Sequence, residues 1–135
     1  MSPRTVFLAR LIGPFAILLS LSELVHKQQT VETAAALVRD RPLVLMIAMM
    51  GLLAGLAMVL AHNVWSGGAL PVVITLFGWI LLIRGAVMLF LSPEAVAGML
   101  EFFRFEQLLY FYAGVTLLLG LYLAYAGFRA TPPAK

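Results

Sequence analysis

The chain has no cysteine among its 135 residues and only six acids. Without cysteine there can be no disulfide, thiolate metal site or cysteine nucleophile, and the redox compartment is left unmarked. Charged residues make up 11% of the chain, against roughly a quarter in an ordinary soluble domain. Signatures of catalysis are missing too. No paired carboxylates lie within the long apolar runs, no nucleophile stands beside a base, and no glycine-rich phosphate loop opens a helix. No enzymatic activity, resident cofactor or metal is therefore expected. There is also no chain of intramembrane acids of the kind that lines proton pathways.

What the chain has in excess is apolar surface. Hydrophobic residues are 63% of it and the mean hydropathy is +1.03. A soluble domain of this length has too little interior to hide that surface. The pI near 9.7 does not point to nucleic acid, because the basic residues are dispersed and mostly flank apolar runs, as membrane anchors do.

Four runs are long enough to cross a hydrocarbon core of about 30 Å, which takes ~20 helical residues. They are Val6–Val25, Pro42–Ala61, Pro71–Leu91 and Leu108–Gly127. Lipid offers backbone amides no partners, and the runs lack the alternation of barrel strands, so they are read as helices. The expected fold is an all-α integral membrane four-helix bundle forming a single domain over 1–135. The first run has features of a signal peptide, with Arg4 and Arg10 before an apolar stretch and Ser20-Leu21-Ser22 as a cleavage site. It is read as a span because it fits an internal repeat.

At an offset of 65 residues, 11–63 aligns without a gap on 76–128, and twelve of the 53 pairs are identical. Composition alone would give about five. The identities include Gly13/Gly78, Val31/Val96, Arg39/Arg104, Leu43/Leu108 and Gly55/Gly120. Each half reads as helix, short amphipathic connector, helix. Two spans per half give both halves one orientation, so a symmetry axis along the membrane normal is expected. The first connector, 30–41, puts Val31, Ala34, Ala35 and Val38 on one helical face. In the second, Ser92 is an N-cap and Pro93 follows at the first helical position. Val96, Met99, Leu100 and Phe103 form its apolar stripe, with Glu101 and Arg104 as an exposed i,i+3 pair. The connectors either lie in the interface plane or extend the second and fourth spans.

The side holding both termini carries Arg4, Arg10, Arg129 and Lys135 and no acid. The opposite side carries Lys27, Arg39, Arg41 and Arg104 together with all six acids. Lys and Arg therefore balance, and the short basic amino terminus places both termini in the cytoplasm.

Arg84 is the one basic residue deep in a span. It is either a substrate or ion ligand, or a side chain that snorkels to the interface or pairs with Glu23 or Glu106. The expectation is a structural pairing, with Glu23 favoured by the repeat register. His62 could titrate near neutrality or bind a metal or haem. A capping role at the end of the second span, shared with Asn63, is the simpler reading. Trp65 reads as an interfacial anchor. Gly51 and Gly55 form a GxxxG, and with Gly13, Gly78 and Gly120 they suit close helix packing within the bundle or between copies. Pro14 is expected to kink the first span.

The motif His62-Asn63-x-Trp65, followed by Gly78-Trp79 and Arg84-Gly85, resembles a group of uncharacterised small bacterial inner-membrane proteins. In these an HN-x-W loop precedes a third span containing GW and a basic residue before glycine. The resemblance covers the central third of the chain. It implies four helices and a bacterial inner membrane, and it implies no reaction. Small multidrug exporters need an acid deep in the first span, and Glu23 stands at the wrong end of it. The expected role is non-enzymatic: a partner of the lipid bilayer that homo-oligomerises or serves as an accessory subunit of a larger membrane complex. The alternative is a small oligomeric transporter or channel with Arg84 lining its path.

Overall fold

A computed structural model describes residues 2–131; Lys135, counted above among the flanking charges, lies outside them. The described residues form six helices: α1 (Pro3–Val25), α2 (Lys27–Leu37), α3 (Arg41–Ala61), α4 (Ala69–Phe90), α5 (Pro93–Phe102) and α6 (Phe105–Arg129). The four long ones, α1, α3, α4 and α6, are apolar and long enough to cross a membrane. The protein is thus an all-helical, multi-pass membrane bundle.

Helix starts follow local chemistry. Ser2, Asp40 and Ser92 each cap a helix by accepting the amide of the third residue on, at 3.2 Å. A proline follows within two positions each time, where its missing N–H leaves no helical bond unmade. Such a cap contributes about 1 kcal/mol. Helix α4 starts instead from Gly67 and Gly68, both at positive φ, a conformation glycine adopts without steric cost. Helix α1 continues as α-helix through Pro14.

The connectors are separate helices and do not extend the second and fourth spans, because each is broken from the span that follows. The first break falls at Val38–Asp40, and the second at Phe103 and Arg104. Arg104 takes a left-handed conformation, φ 50, so the expected helical pairing of Glu101 with Arg104 is not formed: the chain turns out of the helix between them. The Tyr112 hydroxyl donates to the Phe103 carbonyl at 2.8 Å and closes this turn.

The spans pack as two intimate pairs, α1 with α6 and α3 with α4. Small residues set both seams. A Cβ on Gly13 would meet the Ala124 backbone, and one on Gly55 would lie 2.6 Å from Leu82 Cα. Likewise Gly85 abuts Leu52, Gly120 abuts Ala16 and Ile17, and Gly127 abuts Ala9. Gly51 looks across at Gly85, and Gly78 lies against Met58 and Val59. These glycines therefore serve packing inside the protomer, where close backbone approach supplies van der Waals attraction that lipid cannot.

The two pairs meet near the face that carries the termini, through a buried cluster of Ala9, Ile12, Leu70, Ile74 and Leu123. At the opposite end Val38, Val44 and Val96 tie the connectors to α3 and α4. Between these two clusters, α1 and α4 are separated by a large cavity.

Candidate functional site

The cavity has a volume of about 960 Å³, at the upper end of the range for small-molecule sites. Its two walls are helical stripes. Leu19, Ser22, Glu23 and His26 come from α1 and the turn after it, and Ile80, Ile83, Arg84 and Val87 from α4. Both sets follow the i, i+3, i+4, i+7 spacing that places side chains on one helix face. Gln29, Thr30 and Thr33 of α2 line it on one side, and Met99, Leu100 and Phe103 of the second connector on the other.

Leu19, Ile80, Ile83 and Val87 are exposed although they sit well inside spans. The cavity is consequently a groove, open sideways at the depth of the acyl chains. Arg84 is exposed within it and Glu23 is half-buried. By the helical rise of 1.5 Å per residue, Arg84 lies about 9 Å below the end of α4 and Glu23 about 3 Å below the end of α1. Arg84 is thus attached farther from its helix end than Glu23 is from its own, on facing walls of the groove.

The groove brings together only some of the residues expected to meet. Arg84 and Glu23 share it, whereas Glu106 lines a second, smaller cavity of about 380 Å³ with Arg39, Glu101 and Arg104. Among the described residues Arg84 makes no hydrogen bond and no ion pair within 4.0 Å. The expected pairing with Glu23 is therefore a sharing of one groove, not a contact.

His62 and Asn63 lie at the other end of the bundle. His62 is 3% exposed and bridges two helices: Nε2 lies 2.8 Å from Thr5 Oγ1, and Nδ1 lies 3.2 Å from Thr75 Oγ1. Thr75 donates its only proton to the Val64 carbonyl at 2.9 Å and accepts the Val64 amide at 3.0 Å. The Nδ1 nitrogen must then carry a proton, and the neutral Nδ1–H tautomer, with Nε2 accepting from Thr5, fits both contacts. Burial pushes the pKa of His62 below its ordinary value, in the same direction.

The capping expectation is corrected in its mechanism. Only the His62 backbone caps α3, by donating to the Met58 carbonyl at 2.7 Å, and the imidazole cross-links α1 to α4. Asn63 does not adopt the left-handed conformation. Its Oδ1 accepts the indole N–H of Trp65 at 2.7 Å and of Trp79 at 3.4 Å. The HN-x-W loop and the GW of α4 thus form one bonded unit, and Trp65 is also exposed at this face.

Two residues that the sequence pattern marked only as flanking charges act here as caps. Arg4 donates to the Ala61 carbonyl at 3.1 Å, at the end of α3. Arg10 donates to the carbonyls of Gly127 and Ala130 at 2.8 and 3.2 Å, at the end of α6. Cations suit helix C-termini, where carbonyls lack intrahelical partners. The available signal was topological: four spans bring the ends of α3 and α6 to the face where α1 begins.

Among the described residues no three His, Asp or Glu side chains come together as a metal site would require. Comparison with protein-family models, curated proteins and solved structures finds no match.

Proposed function

We propose that this chain is a non-enzymatic accessory protein of the bacterial inner membrane, with both termini cytoplasmic, whose working part is the Arg84 groove. The observation that carries the reading is an arginine, exposed deep in a span, on the wall of a groove of about 960 Å³. A charge at the centre of a span costs ~2.5–3.5 kcal/mol on insertion scales; Arg84, about 9 Å below the end of α4, bears part of that cost, and no side chain among the described residues offsets it by direct pairing. An intramembrane charge held open in a groove suits ligand binding better than scaffolding.

Packing between copies loses its main motive, because Gly13, Gly55, Gly85 and Gly120 are engaged within the protomer. Oligomers, or a complex with other membrane subunits, would be built on the outward apolar faces, which include Leu53, Leu60, Phe111 and Leu118. A tandem duplication accounts for the architecture. Gly13 against Ala124 corresponds, 65 residues on, to Gly78 against Val59, and Gly120 against Ala16 and Ile17 corresponds to Gly55 against Leu81 and Leu82. These matched contacts support a two-fold relation between the halves in the register of the sequence repeat.

The second reading, a small oligomeric transporter or channel with Arg84 on its path, draws on the same groove. Against it, the buried cluster of Ala9, Ile12, Leu70, Ile74 and Leu123 closes the protomer on the side of the termini. Gentle purification followed by native mass spectrometry separates the two: a stoichiometric partner or retained ligand supports the accessory role. Solute flux in proteoliposomes that Arg84→Ala abolishes, with assembly intact, would establish transport instead.

A further inference from the structure

We infer that the groove binds an amphiphile with a zwitterionic headgroup, one ammonium and one phosphate, as in a phosphatidylethanolamine of the surrounding membrane. The inference rests on the reading of the groove as a ligand site, and it names the ligand class from the charges on the two walls. Arg84 on α4 and Glu23 on α1 are the opposed charges of the spans that line the groove, and they do not reach each other. Both stand on walls lined mainly by apolar side chains and neither pairs with the other, so each is open to a counter-charge from a ligand. A purely anionic ligand would match the guanidinium and leave its charge against Glu23. A zwitterion satisfies both.

The depths select which group goes where. Glu23 lies about 3 Å and Arg84 about 9 Å below their helix ends. In a phospholipid of that leaflet the phosphate is joined to the glycerol that carries the acyl chains, and the ammonium is at the free end of the headgroup. The ammonium therefore meets the Glu23 carboxylate and the phosphate meets the Arg84 guanidinium, whose fork of N–H donors suits phosphate oxygens. Level with Arg84 the exposed Leu19, and one turn below it the exposed Ile80, continue the walls toward the bilayer centre, and an acyl chain leaves sideways along them. Gln29, Thr30 and Thr33 add neutral hydrogen-bonding groups at the headgroup end.

The test uses the full chain in detergent, with lysophosphatidylethanolamine and lysophosphatidylglycerol added at equal concentration and bound lipid counted by native mass spectrometry. The wild type is expected to prefer the ethanolamine lipid by about tenfold, the worth of one charge-assisted hydrogen bond. Glu23→Gln should remove that preference while leaving binding of the glycerol lipid. Arg84→Gln should weaken both lipids by about tenfold or more, with unchanged helicity by circular dichroism. Ile83→Trp alters no charge and narrows the groove, so it should reduce uptake of both and keeps the test decisive if a charge variant fails to fold. Equal uptake of the two lipids by the wild type, unaffected by Glu23→Gln yet reduced by Ile83→Trp, overturns the ligand class and leaves the groove a binding site. Uptake indifferent to Ile83→Trp and Arg84→Gln overturns both.

Discussion

Gly55 offers the sharpest test of how the bundle is held together. A methyl group added there would lie 2.6 Å from Leu82 Cα and 2.8 Å from the Leu81 carbonyl carbon, all of it backbone that no rotamer change can move. Carbon atoms rest about 3.5–4.0 Å apart, so α3 and α4 must separate locally by roughly 1 Å. A gap of that size forfeits a quarter to a half of each affected contact, and overpacking of this kind costs about 1–3 kcal/mol. Gly55→Ala is therefore expected to destabilise by about 2–3 kcal/mol, net of any gain in helix propensity. Gly114 lies in α6 with nothing within 4 Å of the position a methyl would take, so Gly114→Ala keeps every contact. It should be neutral or stabilise by up to about 1 kcal/mol, because alanine favours helix more than glycine does. Reversible unfolding in mixed micelles, titrated with a denaturing detergent and followed by circular dichroism, measures both. Equal stability of the two variants, or a larger loss at Gly114, would refute the seam described here.

Three further outcomes are expected. Because burial lowers the pKa of His62 beneath 6.5, the folded state binds its proton less readily than the unfolded state. The contribution of neutral His62 is then complete above about pH 6.5 and is lost as pH falls toward the lower folded value; unfolding midpoints measured from pH 7.5 to 5 should show this slope, and His62→Gln should flatten it. Asn63→Leu removes the acceptor shared by Trp65 and Trp79, which should change the emission of the two tryptophans and cost no more than about 1 kcal/mol, because both bonds are exposed and water can take the acceptor's place. With no native cysteine, single cysteines at Ser2 and Thr131 should both react with an impermeant thiol reagent only from the cytoplasmic side; labelling on opposite sides would remove the even span count.

The fold was legible because a membrane imposes long apolar helices, and the start of the second connector was marked by Ser92-Pro93; the cap at Asp40 was not, because it fell inside the stretch 30–41 read as the first connector. The side-chain network was not legible. Nothing in a linear pattern says that His62 will lie between Thr5 and Thr75, which are 57 and 13 residues away. Nor does it say that Asn63 will serve a second indole 16 residues on. The break at Arg104 was hidden for another reason. Glu101 and Arg104 have good helical spacing, yet the chain must turn there to start α6, and a left-handed residue makes that turn. Arg84 was conspicuous as a charge in a span, and Glu23 as the acid nearest it in the repeat register. Their separation was not legible, since it depends on how far α1 and α4 diverge beyond the cluster of Ile12 and Ile74.

The central claim is that Arg84 stands open in a groove between α1 and α4 and takes its counter-charge from outside the chain. A structure determined in a lipid mesophase tests this most directly. The guanidinium is expected more than 4 Å from the Glu23 carboxylate, with ordered amphiphile density between the walls. A closed groove, with Arg84 and Glu23 in direct contact and no density between the helices, would contradict it.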